Sequence, residues 1–129
     1  MQVYTHTVRV EPDHLDDLNH VNNVIYLQWV QDIAKAHWMS EATDDMLSDY
    51  FWVVVKHIID YKGSAILDDY INIKTFVQDA EGVTSTRIVE MYHSETNKLL
   101  VRAETTWCLM DAVSKRPTRI NEAISNLFK

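Results

Sequence analysis

The run NVIYLQWVQDIAKAHWM, residues 23–39, constrains this chain more than any other stretch. Tyr26, Trp29, Val30, Ile33 and the His37/Trp38 pair recur at i, i+3, i+4, i+7, the spacing of one helical face. Val24, Leu27 and Ala34 widen that face. The polar remainder, Gln28, Gln31, Asp32 and Lys35, follows the same spacing and so forms a single narrow stripe. A surface helix carries an apolar stripe of roughly 100° on a polar background. Here the ratio is inverted, and the helix must be embraced on most sides. Asn22 stands where its side chain can cap the first free backbone N–H groups.

What embraces it must be a sheet. Residues 2–10 read as a strand, with Tyr4, His6, Val8 and Val10 on one face, and Glu11-Pro12 ends it. Residues 11–22 are polar and acidic, without sustained period, and read as a loop with room for one helical turn. Residues 41–49 read as helix end plus loop. Four strand-like runs follow, at 51–61, 70–78, 83–92 and 99–110. The last alternates most cleanly, with Leu99, Val101, Ala103, Thr105, Trp107 and Leu109 on one face. The third places Val83, Val89 and Met91 on one face and Ile88 and Tyr92 on the other. The links KGSAILDD, DAEG and SETNK are short, which predicts antiparallel neighbours in sequence order. A short helix over NEAISNLF closes the chain. Strands after the helix outnumber the one before it, so this is not a βαβ alternation. The expectation is an α+β fold, one antiparallel sheet wrapped around one long central helix, in a single domain spanning residues 1–129.

Composition narrows the function. The 129 residues are 47% apolar and 24% charged, enough for a real core. Net charge is −7, and residues 1–50 alone carry nine acids against Arg9 and Lys35. Without a basic stripe, a nucleic-acid partner is excluded, because such binding rests on neutralised phosphates. One cysteine, Cys108, excludes an internal disulfide and a multi-cysteine zinc site. No run approaches the ~20 apolar residues of a membrane span, and MQVYTHTVRV alternates rather than forming a secretory apolar block. A cytoplasmic protein without membrane partner is expected.

The chemistry concentrates before the helix. Asp16 and Asp17 lie in the acidic loop, and His20, Asn22 and Asn23 lead into the helix. A helix N-terminus presents free N–H groups and the positive end of the dipole, which stabilise a carbonyl oxygen becoming an oxyanion. A carboxylate just upstream can attack the same carbon or activate water against it. Carboxylate plus helix start is thus a minimal hydrolytic site for an activated acyl group, with no metal and no cofactor. The plainer reading of each part stands beside this one: acids before a helix favour the dipole, Asn22 is a cap, His20 is a loop histidine. The cluster lacks the His spacing of a helical zinc site and the glycine of a calcium loop. Gly63 and Gly82 stand alone, so no phosphate loop is present. Cys108, inside a strand, reads as packing.

The string LDDLNHVNNVIYLQWVQDIAKAHW resembles the signature of the 4-hydroxybenzoyl-CoA thioesterase class of acyl-CoA thioesterases, in the hotdog-fold superfamily. That signature runs Asp, three residues of which the third is usually Gly, His-Val-Asn-Asn, two residues, then Tyr-Leu on a long helix. Asp16 takes the carboxylate position, His20 to Asn23 the next four, and Tyr26-Leu27 the end. With weaker similarity the resemblance extends to AETTWCLMDAVSKRPTRI. Two positions depart. Asn19 replaces the usual Gly, so the turn requires an asparagine in the left-handed region, which Asn tolerates. Gln31, with Asp32 beside it, stands where an acid is common. Asp17 remains an alternative to Asp16.

The resemblance implies a five-stranded hotdog protomer, a homodimer or homotetramer built edge to edge, and sites at the protomer interface. It places the thioester carbonyl against the Asn23 N–H and Asp16, of the same chain or of its partner, as nucleophile or general base. His20 and Asn22 then line the substrate, and Ser85, Arg87, Lys115 and Arg116 are candidates for the coenzyme A phosphates at the pocket mouth. The implied activity is hydrolysis of an acyl-CoA thioester to a carboxylic acid and coenzyme A. Hydrolysis of acyl-carrier-protein thioesters, or thioester binding without turnover, are the alternatives.

Overall fold

The computed structural model describes residues 1–129. In chain order the elements are β1 (Tyr4–Arg9), a single 3-10 turn (Pro12–His14), α1 (Asn23–Glu41), α2 (Asp44–Asp49), β2 (Tyr50–Tyr61), β3 (Tyr70–Glu81), β4 (Thr84–His93), β5 (Leu99–Asp111) and α3 (Glu122–Asn126). The five strands form one antiparallel sheet in the order β1-β3-β4-β5-β2.

α1 lies against this sheet by the face its periodicity marks, but the chain does not embrace it on most sides: Val24, read as part of that face, is exposed, as is Met39, because one sheet covers only one side of a helix. Tyr26, Trp29, Val30 and Ile33 are buried in one cluster with Ile71 and Ile73 of β3, Val89 and Met91 of β4, and Leu100, Val101 and Ala103 of β5. A second cluster joins Trp38 near the helix end to Leu109, Ile124 and Phe128, with Tyr50 and Trp52 packed against it. Each fully buried aliphatic side chain contributes about 1.5–3 kcal/mol, so these clusters hold helix and sheet together. Gln28, Gln31, Asp32 and Lys35 remain exposed as one stripe.

The strand order corrects one expectation. β2 does not neighbour β3; it pairs with β5 at the sheet edge. The link of residues 62–69 is a crossover. Three interstrand spacings amount to about 14 Å, while eight extended residues reach about 26 Å, so the link is long enough to pass over the end of the sheet. On the way it is fastened to the start of α1: Val21 N–H donates to the Ala65 carbonyl at 2.9 Å, and Ala65 N–H donates to the Tyr26 hydroxyl at 3.0 Å. A second difference is α2, a one-and-a-half-turn helix where residues 41–49 read as helix end and loop. Thr43 caps it by accepting from Met46 N–H at 3.2 Å.

β2 carries a bulge between Val54 and Lys56. The extra residue, Val55, shifts the side-chain phase. Trp52 and Ile59, seven positions apart, would otherwise face opposite sides; both pack on the helix side.

Candidate active site

The approach to α1 is a tight hairpin. His14 C=O accepts from Asn22 N–H at 2.9 Å, Leu15 bridges to Val21, and Asp16 N–H donates to the His20 carbonyl at 2.8 Å. The turn is closed by Asn19 N–H on the Asp16 carbonyl at 3.0 Å. Such a turn ends in a left-handed residue, and Asn19 has φ of 61°. This is the conformation expected of an asparagine in the glycine position.

The turn fixes the Asp16 carboxylate. Its Oδ1 accepts from the backbone N–H of Leu18 at 2.9 Å and of His20 at 3.1 Å, while Oδ2 has no partner within the chain. Asp16 is half-buried and Asp17 is exposed. Two residues past His20, Asn22 caps α1 by accepting from Val24 N–H at 3.0 Å. Asn23 is the first helical residue, and its N–H has no acceptor in the chain. One hairpin therefore carries a carboxylate with a free oxygen and, a few residues on, an unpartnered N–H at the positive end of a 19-residue helix. His20 is exposed and enters through its backbone, bridging to Ile66 of the crossover. Tyr26, quoted in the motif without a role, pins that crossover from below; burial pushes its phenol pKa up.

A cavity of about 580 Å³ lies along the other half of the helix. Its walls include Trp38, Trp52, Trp107 and Phe128, and the polar stripe of α1 runs along it. None of Asp16, His20, Asn22 or Asn23 lines it. Ser85 and Arg87 do. Both are buried, so Arg87 is no surface base: its guanidinium lies under the aromatic walls and donates to His37 Nδ1 at 2.8 Å. Lys115 does not line it, but its Nζ is 5.4 Å from the centre of the Phe51 ring, itself a wall of the cavity. Arg116 is exposed and does not line it.

His37 was legible only as part of the helix's apolar face. It is fully buried, with Nε2 2.6 Å from Gln2 Oε1. Desolvation first, then the Arg87 charge, pull its pKa from 6.5 down to about 4, so the ring is neutral near pH 7. Desolvation also lowers Arg87, to about 10, which leaves it charged. A signal for this pair existed: Arg87 shares its strand parity with Val89 and Met91, the core-facing side of β4.

A long helix lying on a five-stranded antiparallel sheet in this order is the hotdog fold, as comparison with solved structures bears out. A 1,4-dihydroxy-2-naphthoyl-CoA thioesterase from Synechocystis superposes with a TM-score of 0.84 at 17% identity, over 98% of this chain and 95% of that one. A Staphylococcus aureus protein solved in complex with CoA gives 0.86 at 16%, over 98% and 81%. An acyl-ACP thioesterase from Bacteroides thetaiotaomicron gives 0.82 at 15%, over 92% of this chain and 49% of that one. No curated protein matches by sequence. Residues 1–128 match the acyl-ACP thioesterase N-terminal domain family, and the chain belongs to that family of thioester hydrolases. No helix is long and apolar enough to cross a membrane.

Proposed function

We propose that the chain hydrolyses acyl-CoA thioesters, with Asp16 as nucleophile or general base and the Asn23 N–H as oxyanion donor. The observation that carries this reading is the hairpin that ends in the helix: it holds the Asp16 carboxylate by one oxygen and leaves the other free, and it runs on into an N–H without an acceptor at the helix start. The oxyanion forming on the thioester carbonyl gains a donor aligned with the helix dipole. Asp16 Oδ2 either attacks the carbonyl carbon, so that the C–S bond breaks and leaves a mixed anhydride that water then hydrolyses, or removes a proton from a water that attacks the same carbon. In both routes one water is consumed, the carboxylic acid is released, and the departing coenzyme A thiolate takes up a proton that the water supplies.

The acyl pocket is completed by a second copy of the chain. β2 is a twelve-residue edge strand rich in β-branched and aromatic residues, and Val55, Ile58 and Tyr61 on it are exposed. A long apolar edge demands cover. Two copies related by a two-fold axis pair such edges antiparallel, so the start of one β2 lies beside the end of the other. The start, Tyr50 to Trp52, lines the cavity. The end, Tyr61, has its ring 6.1 Å from that of Tyr26 on the first turn of α1. Pairing therefore sets the cavity of one protomer next to the Asp16 hairpin of its partner. His20 and Asn22 then border the thioester, and Lys115 and Arg116 offer charge near the mouth for the coenzyme A phosphates.

The family's name includes the acyl carrier protein as an alternative donor. A carrier docks on a basic patch, and a chain of net charge −7 is poorly suited to provide one. The test is thiol release from a panel of short, long and aromatic acyl-CoAs and from acyl carrier protein, with wild type and Asp16→Asn. Asparagine keeps the Oδ1 acceptor for Leu18 and His20, so the turn survives. Loss of the carboxylate lowers kcat by about 10²–10⁴-fold or more. A folded Asp16→Asn with wild-type turnover refutes the assignment, and binding without thiol release assigns the chain as a non-catalytic thioester binder.

A further inference from the structure

The cavity contains a group that thioester hydrolysis does not call for. Arg87 is 5% exposed on the core side of β4. Its Nη1 donates to His37 Nδ1 at 2.8 Å and to Thr75 Oγ1 at 3.1 Å, and the Phe128 ring lies 5.2 Å from Cζ. None of these is an anion. His37 is held as an acceptor toward Arg87, because its other nitrogen meets the Gln2 carboxamide oxygen. None of the ion pairs in the chain includes Arg87.

The rest of the guanidinium is uncommitted. Nε and Nη2 have no hydrogen-bond partner, yet they are not among the sealed polar atoms left unpaired, which are His57 Nε2 and Trp107 Nε1. They are therefore not sealed from solvent, and Arg87 is one of the residues that line the cavity. Two other charges border it from α1, Lys35 and Asp32. Asp32 accepts from Gln28 Nε2 at 2.8 Å and lies beyond ion-pair distance of Arg87. Two cations thus face one carboxylate.

We propose that this cavity receives an acyl group that itself ends in a carboxylate, and that Arg87 selects it. The inference rests on the acyl-CoA reading above and names the substrate class. A guanidinium taken out of water without a counter-ion is costly, and a carboxylate relieves that cost by accepting from Nε and Nη2 in the two-pronged geometry that arginine favours. Trp38, Trp52, Trp107 and Phe128 surround the methylene or aryl stretch between the two ends. A plain fatty acyl chain would displace water from the guanidinium and return no hydrogen bond. That asymmetry discriminates more strongly than the attraction alone.

The experiment compares ω-carboxyacyl-CoAs, from succinyl to dodecanedioyl, with straight-chain acyl-CoAs of matched length. In wild type, kcat/KM favours the ω-carboxy substrate by about ten-fold or more at the best-fitting length. Arg87→Met, which keeps the side chain's bulk and removes its charge, reverses the preference; Arg87→Lys keeps part of it. A separate readout is calorimetric binding of thioether analogues, in which a methylene replaces the thioester carbonyl, to wild type. Preference for the ω-carboxy analogue without any thiol release upholds the carboxylate assignment and removes the hydrolytic one. Thiol release with a preference for uncharged acyl chains at every length does the reverse. An unchanged ratio in a folded Arg87→Met also overturns the proposal, and if that variant does not fold, the wild-type panel and Arg87→Lys decide.

Discussion

Acidification should weaken this fold through His37. The ring is wholly buried and keeps Nδ1 as an acceptor for a cation, so protonating it would set two positive charges 2.8 Å apart. Its folded pKa of about 4 lies below the ordinary 6.5. Between those values the unfolded chain binds a proton that the folded chain refuses. Stability therefore rises with pH across that window, is complete above pH 6.5, and is lost as pH falls toward 4; below 4 both states are protonated and this loss stops. A gap of about 2.5 pH units at 1.36 kcal/mol each is about 3 kcal/mol. That is a large share of the 5–15 kcal/mol typical of a whole domain. His57, also lowered by burial, adds in the same direction. Asp111, lowered by N–H donors from Ser114 and Val113, loses its contribution only below its ordinary 3.8. The assay is urea denaturation followed by tryptophan fluorescence from pH 7.5 to 4, at one protein concentration because association adds to stability. In His37→Gln, the carboxamide can accept from Arg87 and donate to Gln2 without titrating. This variant should be less stable than wild type at pH 7 but lose about 3 kcal/mol less on acidification. Parallel pH profiles for the two proteins would refute the argument.

Two further outcomes follow from the geometry. Asn19→Gly should leave the urea midpoint nearly unchanged, whereas Asn19→Val, forced to φ of 61°, should cost about 1–3 kcal/mol; equal midpoints would contradict the left-handed turn. Ile58→Lys, on the exposed edge of β2, should shift the sizing profile from dimer to monomer and lower thiol release with it; a monomer with full activity would contradict a site shared between protomers.

The sequence was most legible where one element sets its own period. α1 begins at Asn23 as expected and runs two residues further, to Glu41. The strands at the four expected places differ from expectation by a few residues, because hydrophobic alternation fades at strand ends. The Asn19 conformation was legible because a motif position that needs positive φ admits few residues. Strand order was not. A link such as KGSAILDD is long enough either to turn or to cross, and local spacing does not distinguish the two; the crossing path is fastened midway, at Ala65, by hydrogen bonds to Val21 and Tyr26, residues distant in the sequence. Bulges are likewise silent in the sequence, so the parity of Trp52 and Ile59 could not be read from their separation.

The inverted helix and the buried cation have a common explanation. A core helix that kept only a narrow polar stripe could have dispensed with it, yet Gln28, Gln31, Asp32 and Lys35 run in register along the open side of the cavity. On an isolated protomer this stripe is ordinary solvent cover. In the proposed dimer, with a second copy at the β2 edge, it would become one wall of a chamber also lined by the aromatic side chains and by Arg87. An enclosed chamber strengthens every charge within it, because water no longer screens them. The acidic exterior then matters little to selection, since its field fades within a Debye length of about 8 Å at physiological salt. On this proposal a chain of net charge −7 would still hold an anion: the exterior sets the total, while the buried Arg87, with Lys35 and Asp32 at the border of its cavity, would set the preference.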